Sequence, residues 1–106
     1  MARRRVRWSE SAWDDVERIA EYIARDSKTY AAALVRELRE ASRSLDQMAE
    51  RGRRVPEFKA EHIRELIVRR HRLIYRVSDG EVLVLGIVHG AQDLRRAWRQ
   101  RGPSTP

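Results

Sequence analysis

Five side chains in the second half of the sequence could together cleave RNA without a metal ion: those of Glu57, Arg64, Arg72, Arg76 and His89. Such cleavage needs a base for the 2′-hydroxyl group, cations for the charge on the phosphorane and an acid for the leaving oxygen. Glu57 or His89 could act as the base or the acid, and the arginines could stabilise the charge. In the structural alternative, Glu57 is a loop carboxylate paired with an arginine, and His89 closes the end of a strand.

Other kinds of catalytic site find little support in the sequence. It has no cysteine, which excludes thiolate catalysis and disulfide bonds. Its three histidines, His62, His71 and His89, do not have the spacing of a ligand pair on one helix face. There is no glycine-rich phosphate loop, and no serine lies in a nucleophile elbow. We therefore expect no metal site and no cofactor.

The net positive charge is concentrated in the second half of the chain. The sequence has 106 residues and a formal net charge of +7, and the whole excess lies in residues 51–106. Nearly all of the basic residues are arginines, which can bind a phosphate or a carboxylate through two parallel hydrogen bonds. The pattern indicates a basic surface that binds either nucleic acid or an acidic partner protein. The alternative is that it reflects only a coding bias toward arginine.

The length and hydropathy of the chain set its domain organisation. A chain of this size predicts one domain, which we place at residues 1–101, followed by a disordered tail at residues 102–106. No apolar run approaches the ~20 residues of a membrane span. The N-terminus lacks the apolar core of a secretory signal. We expect a cytoplasmic protein with no membrane partner.

Residues 70–90 predict the hairpin that must position the candidate side chains. Asp79 and Gly80 lie between two apolar runs, which is the strongest short-range signal for a β-hairpin with a type I′ turn. The turn sets the register, and the register sets the face on which each side chain lies. The predicted pairs are Val77 with Val82, Tyr75 with Val84, Leu73 with Gly86, and His71 with Val88.

The two faces of this hairpin differ in character. The face that carries Tyr75 and Val84 is almost wholly apolar and should contact the core. The other face mixes arginines and a histidine with aliphatic residues, which indicates a docking surface. A β-bulge would shift the register and exchange the faces. The residues of the mixed face are Arg70, Arg72, Ile74, Arg76, Leu83, Leu85, Ile87 and His89.

The first half of the chain predicts a strand and two helices. Residues 3–8 are compatible with a strand, and Ser9 is a suitable N-cap for the helix that follows. Residues 26–29 interrupt the helical pattern, and a second helix then continues to about Glu50. The packing seam of the second helix consists of Leu34, Leu38, Ala41, Leu45 and Met48.

The second half adds strands to these helices. Besides the hairpin, residues 63–68 predict a strand, and residues 91–101 predict a short basic helical segment. The expected fold class is α+β, in the order β-α-α-β-β-β: an N-terminal strand, an antiparallel helix hairpin and a three-stranded antiparallel sheet, followed by the basic helical tail. The helix hairpin should cover one face of the sheet.

Five segments of the sequence carry a combined pattern. The first, within Trp8–Asp26, reads Ala-x-x-Asp-Val-x-x-Ile-x-x-Tyr-Ile, and the others are Gly52–Glu57, Ile63–Glu65, Arg72–Val77 and Val84–Gly90. Together and in this order, they resemble the ParE branch of the RelE/ParE toxin superfamily. The resemblance covers residues 6 to about 98. It implies a helix hairpin on an antiparallel sheet and a toxin of a toxin–antitoxin pair.

The two branches of this superfamily differ in activity. ParE-like members are associated with poisoning DNA gyrase, whereas RelE-like members cleave mRNA on the ribosome. Arg72 matches an arginine of the RelE-like cleavage motif, but most of the other positions of that motif differ. The differing positions fall at Ile63 and Glu65 in place of basic residues, near Gln92 or Leu94 in place of an arginine, and near Trp98 in place of a catalytic tyrosine.

The resemblance therefore favours a toxin that inhibits DNA gyrase without being an enzyme, and it assigns no catalytic residue. The alternatives are a ribosome-dependent mRNA endonuclease of the RelE type, with Glu57, Arg72 and His89 as candidates, and a non-toxic module that only binds an antitoxin. The implied partners are DNA gyrase and a cognate antitoxin, ParD-like or similar, whose acidic and apolar C-terminal segment would wrap the toxin in a hetero-oligomer. The residues expected to bind the target or the antitoxin are Arg70, Arg72, Ile74, Arg76, Leu83, Leu85, Ile87, His89, Arg95 and Trp98.

Overall fold

The computed structural model describes residues 3–101, so the predicted tail at residues 102–106 lies outside the described residues. The strands are β1 (Arg5–Trp8), β2 (Arg53–Arg54), β3 (Ile63–Val68), β4 (His71–Ser78) and β5 (Glu81–His89). The helices are α1 (Glu10–Ala24), α2 (Lys28–Arg43) and α3 (Leu94–Arg99), and one turn of 3-10 helix follows α2 at Ser44–Asp46. No helix of this range is both long enough and apolar enough to cross a membrane.

The strands form one mixed sheet in the order β1-β5-β4-β3-β2. β1 runs parallel to β5, and all other neighbours in the sheet are antiparallel. The predicted α+β fold is confirmed, including the antiparallel strands β3, β4 and β5 and the short C-terminal helix. The sequence did not predict β2, which adds two residues at the edge of the sheet beside β3.

Serine side chains begin both long helices. The Ser9 hydroxyl accepts a hydrogen bond from the Ala12 N–H at 3.1 Å, and the Ser27 hydroxyl accepts one from the Tyr30 N–H at 3.1 Å. These bonds satisfy backbone donors that the first turn of a helix leaves without partners. The interruption predicted at residues 26–29 is therefore the N-cap of α2.

The second helix is shorter than the sequence pattern predicted. It ends at Arg43, although the apolar spacing continues to Met48. The hydroxyls of Ser42 and Ser44 donate to backbone carbonyls one turn earlier, and bonds of this kind compete with regular helical bonding. Met48 is 54% exposed, so its predicted place in the packing seam is wrong.

The β4–β5 hairpin turns at Asp79 and Gly80, as predicted, and Ser78 pairs with Glu81 across the turn. The predicted turn type is wrong. A type I′ turn requires positive φ at both central residues, whereas only Gly80 has a positive φ, of +74°. Glycine accepts this backbone conformation without the steric penalty of a Cβ atom.

The predicted register of the hairpin is confirmed near the turn, but it is wrong farther from the turn. Tyr75 pairs with Val84, as predicted, but the next residue of β4, Ile74, pairs with Gly86. Leu85 is therefore an extra residue in β5, which is a β-bulge. Beyond the bulge, Leu73 pairs with Ile87, Arg72 with Val88, and His71 with His89.

The bulge changes which side chains of β5 share a face. We call the face that contacts α1 and α2 the inner face, and the opposite face the outer face. Ile87 packs in the inner core, whereas Leu85 and Val88 pack on the outer face. His89 lies with Ile87, since side chains two residues apart lie on one face of a strand. The prediction that Ile87 and His89 share a face with Leu85 is therefore wrong.

The outer face is not left open. Trp98 of α3 packs on Gly86, where a Cβ atom would lie 2.8 Å from the Trp98 ring. Phe58 also contacts Trp98, with ring centroids 5.6 Å apart. Together with Leu94 these side chains bury Ile74 and other residues of the outer face. The predicted uncovered docking face is therefore wrong, because the chain's own C-terminal helix covers its centre.

Tyr75 is fully buried in the inner core. Its hydroxyl donates to the Ala49 carbonyl at 2.7 Å and accepts from the Gly52 N–H at 3.0 Å. The side chain therefore fills the space under the helices and also holds the connection between the 3-10 turn and β2.

We predict that Tyr75→Ala lowers the free energy of unfolding by about 3–5 kcal/mol, because truncating a buried aromatic leaves a cavity. Urea denaturation followed by circular dichroism measures the change. Tyr22→Ala is the matched control, since Tyr22 is 69% exposed, and it should change this free energy by less than about 0.5 kcal/mol. Equal effects of the two substitutions would contradict the placement of Tyr75.

Candidate functional site

Arg72 lies at the centre of a network of four charged side chains on the outer face. Its Nη1 and Nη2 donate to the two carboxylate oxygens of Glu57, at 2.8 and 2.7 Å. Its Nε donates to Glu65 at 2.6 Å, and Glu65 also accepts from Arg53 Nε at 2.6 Å. The network joins β2, β3, β4 and the loop before β3.

Burial keeps these ion pairs away from water. The side chain of Glu65 is fully buried, that of Arg72 is 8% exposed, and that of Glu57 is 25% exposed. The hydrogen bonds from Arg72 lower the pKa of Glu57 from its usual 4.5 to about 2, against the opposing effect of burial. The same bonds raise the pKa of Arg72 above its usual value. Glu57 is therefore a carboxylate, and Arg72 a cation, at neutral pH.

This pairing limits the chemistry that Glu57 and Arg72 can perform. An efficient general base has a pKa near the working pH, and the pKa of Glu57 lies far below it. Both carboxylate oxygens of Glu57 already accept hydrogen bonds from Arg72. The guanidinium of Arg72, in turn, donates from all three of its nitrogens to carboxylates. The geometry matches the structural alternative, in which Glu57 is a loop carboxylate paired with an arginine.

The other nuclease candidates lie elsewhere. His89 is on the inner face, where its ring meets that of His71 edge-on at 5.3 Å. Arg64 is also on the inner face, opposite Tyr75 in the register, and donates to the Gly52 carbonyl at 2.8 Å. Arg76 lies on the outer face, near the turn of the hairpin. Of the five candidates, the structure brings only Glu57 and Arg72 into contact.

The ten residues predicted to bind a partner fall into three groups according to their exposure to solvent. Those on the surface are Arg70, His89 and Arg95, and Arg76 and Leu83 are half-buried. The buried ones are Arg72, Ile74, Leu85, Ile87 and Trp98. A partner can therefore reach the first two groups directly, whereas α3 or the helix hairpin would have to move before it reached the buried group.

Sequence reasoning missed the pair formed by Asp15 and Arg101. Asp15 is 3% exposed, and its Oδ2 accepts from the Ile87 N–H at 2.9 Å and from Arg101 Nη1 at 2.7 Å. Arg101 Nη2 donates to the Leu85 carbonyl at 2.5 Å. The pair thus holds Arg101, which follows α3, against the bulge. The available sequence signal was that Asp15 adjoins Val16, which is an apolar residue at helical spacing from Ala12 and Ile19.

Within residues 3–101, no group of three or more histidine, cysteine, aspartate or glutamate side chains is placed to hold a metal ion.

Residues 6–94 match the model of the family described as the ParE toxin of the type II toxin–antitoxin system parDE. The chain belongs to this family. No curated protein matches the sequence. Membership of the ParE toxin family confirms the predicted resemblance to the ParE branch of the superfamily, and it identifies the chain as a type II toxin.

Solved structures with the same fold include two from toxin–antitoxin systems. One belongs to the chromosomal ParDE system of P. aeruginosa, with a TM-score of 0.67 and 22% identity over 81% of this chain and 95% of that one. The other belongs to the toxin–antitoxin complex RelBE2 of Mycobacterium tuberculosis, with a TM-score of 0.57 and 21% identity over 87% of this chain and 97% of that one. At these identities the similarity shows the fold alone.

We predict that Glu57→Gln lowers the free energy of unfolding of this ParE-family chain at pH 7 by about 1–3 kcal/mol, since two bonds from Arg72 lose their charged acceptor. Because the pKa of Glu57 is lowered on folding, its contribution is complete above pH 4.5. It is lost as the pH falls from 4.5 toward 2. The difference between wild type and variant in urea denaturation should therefore shrink over that interval.

Glu61→Gln is the matched control for this experiment. The Glu61 side chain is 83% exposed and makes one ion pair, with Arg54 at 3.2 Å. Exposed pairs of this kind contribute little to stability, so this variant should unfold like the wild type at every pH. A Glu57→Gln variant that does the same would show that the network is not formed in solution.

Proposed function

We propose that this ParE-family toxin acts on DNA gyrase, blocks replication and is neutralised by binding a cognate antitoxin. The family match supports a toxin of a type II pair. The ion pairs of Arg72 support gyrase, rather than mRNA, as the target. Its charge is compensated by Glu57 and Glu65, so it is not free to stabilise a phosphorane.

Two further observations weaken the endonuclease alternative. The imidazole of His89 lies on the opposite face of the sheet from Arg72, so the two could not act on one phosphate from these positions. The position near which the RelE-like motif has a catalytic tyrosine is occupied by Trp98, which is buried against Gly86. Glu57, Arg72 and His89 therefore do not converge as the acid, base and cation that metal-independent cleavage needs.

An antitoxin partner agrees with the distribution of charge. Arg70, Arg76 and Arg95 form no ion pair with any residue of the described range. Each can therefore bind a carboxylate of an acidic segment without first breaking an internal pair. A short reading frame next to the toxin gene that encodes an acidic C-terminal segment would identify the candidate antitoxin.

We expect the purified toxin to reduce supercoiling by purified DNA gyrase and to raise the level of gyrase–DNA cleavage complexes. Agarose-gel assays of plasmid DNA measure both effects. Addition of the antitoxin in equimolar amount should restore supercoiling, because the antitoxin covers the toxin surface. The antitoxin alone is the control and should leave gyrase unaffected.

A primer-extension assay on translated mRNA tests the alternative. Codon-phased cuts, together with unchanged gyrase activity, would identify a RelE-type endonuclease and overturn the proposal. The absence of both effects, together with normal growth after induction, would instead identify a module that only binds an antitoxin.

A further inference from the structure

A cavity of about 700 Å³ lies between the second half of α1, the start of α2 and the ends of β4 and β5 that are remote from the hairpin turn. We call it the histidine pocket. Its uncharged lining consists of Ile19, Ile23, Tyr22, Tyr30, His71 and His89. Most of this lining is apolar, and the volume is in the range of ligand-binding clefts.

Two aromatic side chains of the histidine pocket are exposed in the isolated chain. Tyr22 is 69% exposed and Tyr30 is 37% exposed. The guanidinium of Arg69 holds Tyr30 in place, since it lies 4.8 Å from the Tyr30 ring centroid and donates to Glu37 at 2.9 and 2.6 Å. Tyrosines are enriched at protein interfaces, and one that is held in place but partly exposed, such as Tyr30, is a typical anchor.

The two histidines form the part of the pocket next to the sheet. The rings of His71 and His89 meet edge-on at 5.3 Å. His71 is 6% exposed, and its Nδ1 has no hydrogen-bond partner in the described part of the chain. Burial lowers the pKa of His71, and the neighbouring His89 lowers it further. His71 is therefore neutral at pH 7.

The positive charge of the pocket is carried by arginines at its edge. Arg18, Arg25 and Arg70 line it, together with one acidic residue, Glu21. Arg18 is paired with Asp15 at 2.7 Å. Arg25 and Arg70 form no ion pair within residues 3–101. Arg25 lies over the ring of Tyr22, 5.7 Å from its centroid. An apolar interior with two cations at its edge that form no ion pair is complementary to an apolar side chain flanked by carboxylates.

We propose that the histidine pocket binds an apolar side chain of the acidic C-terminal segment of the antitoxin, with carboxylates of that segment on Arg25 and Arg70. This inference rests on the proposed function, because it names the surface on which the proposed partner docks. A single-stranded nucleic acid is the competing occupant. The pocket fits it less well, since such ligands need a continuous row of cations along the backbone, and Glu21 lies among the arginines.

Two substitutions test the proposal by the affinity of the purified toxin for the antitoxin, measured by isothermal titration calorimetry. Tyr22→Glu and Arg70→Glu should each weaken binding about tenfold or more, as is usual for central interface residues. Met48→Glu is the control for Tyr22→Glu, since Met48 is 54% exposed and lies outside the pocket. Lys59→Glu is the control for the reversed charge. Both controls should bind like the wild type, and circular dichroism checks that all four variants fold.

Photocross-linking locates the contact directly. With p-benzoylphenylalanine in place of Tyr22, irradiation of the toxin–antitoxin complex should join the toxin to the acidic C-terminal segment of the antitoxin. The same amino acid in place of Met48 should not. Mass spectrometry of the digested complex identifies the joined peptides.

The outcomes separate this inference from the proposed function. If wild type, Tyr22→Glu and Arg70→Glu bind the antitoxin with equal affinity, the pocket proposal is overturned and the proposed partnership stands. If the wild type does not bind the antitoxin, both fail. If the two variants keep their affinity for the antitoxin but lose affinity for a fluorescent single-stranded DNA oligonucleotide, the occupant is nucleic acid and the proposal is overturned.

Discussion

The extra residue of β5 at Leu85 is the constraint on which the positions of the helices and charged groups depend. The bulge interrupts the regular pairing of β4 and β5 between Tyr75 and Ile74, and it leaves backbone groups beside α1 to be satisfied by side chains. Asp15 binds the Ile87 N–H, and Arg101 binds the Leu85 carbonyl. Asp15 thereby joins α1 to the sheet, and Arg101 joins the segment after α3 to it. A buried backbone group without such a hydrogen-bond partner would lower the stability of the fold by about 1–3 kcal/mol.

The same bulge separates the chemistry of the two faces. It turns His89 toward the helices, where it meets His71 and contributes to a pocket with exposed tyrosines. Arg72 stays on the outer face, where it is paired with Glu57 and Glu65. The outer face is thereby used for internal ion pairs and packing. The proposed partner surface consists of arginines at the edges of the sheet and the cleft beside α1.

Local sequence patterns predicted most of the fold. The serine caps, the strand at residues 63–68 and the Asp79-Gly80 turn are each encoded by a few neighbouring residues, because caps and tight turns are closed by bonds over two to four positions. The end of α2 was missed, since the hydroxyls of Ser42 and Ser44 bond back to the helix in a way that apolar spacing does not show. The pairing of Glu57 with an arginine was predicted from the sequence, but the sequence did not show that the arginine is Arg72.

The sequence by itself determined the order of the elements, the fold class and the membership of the ParE toxin family, because these depend on local propensity and on motifs read along the chain. Tertiary structure alone decided which face each residue of β5 after Leu85 occupies. The period of a strand is two, so one unpredicted residue at Leu85 reverses every later assignment. Asp15 of α1 and Arg101 after α3 bind the backbone of the bulge. Both residues lie outside β4 and β5, so no pattern within these two strands reveals the bulge.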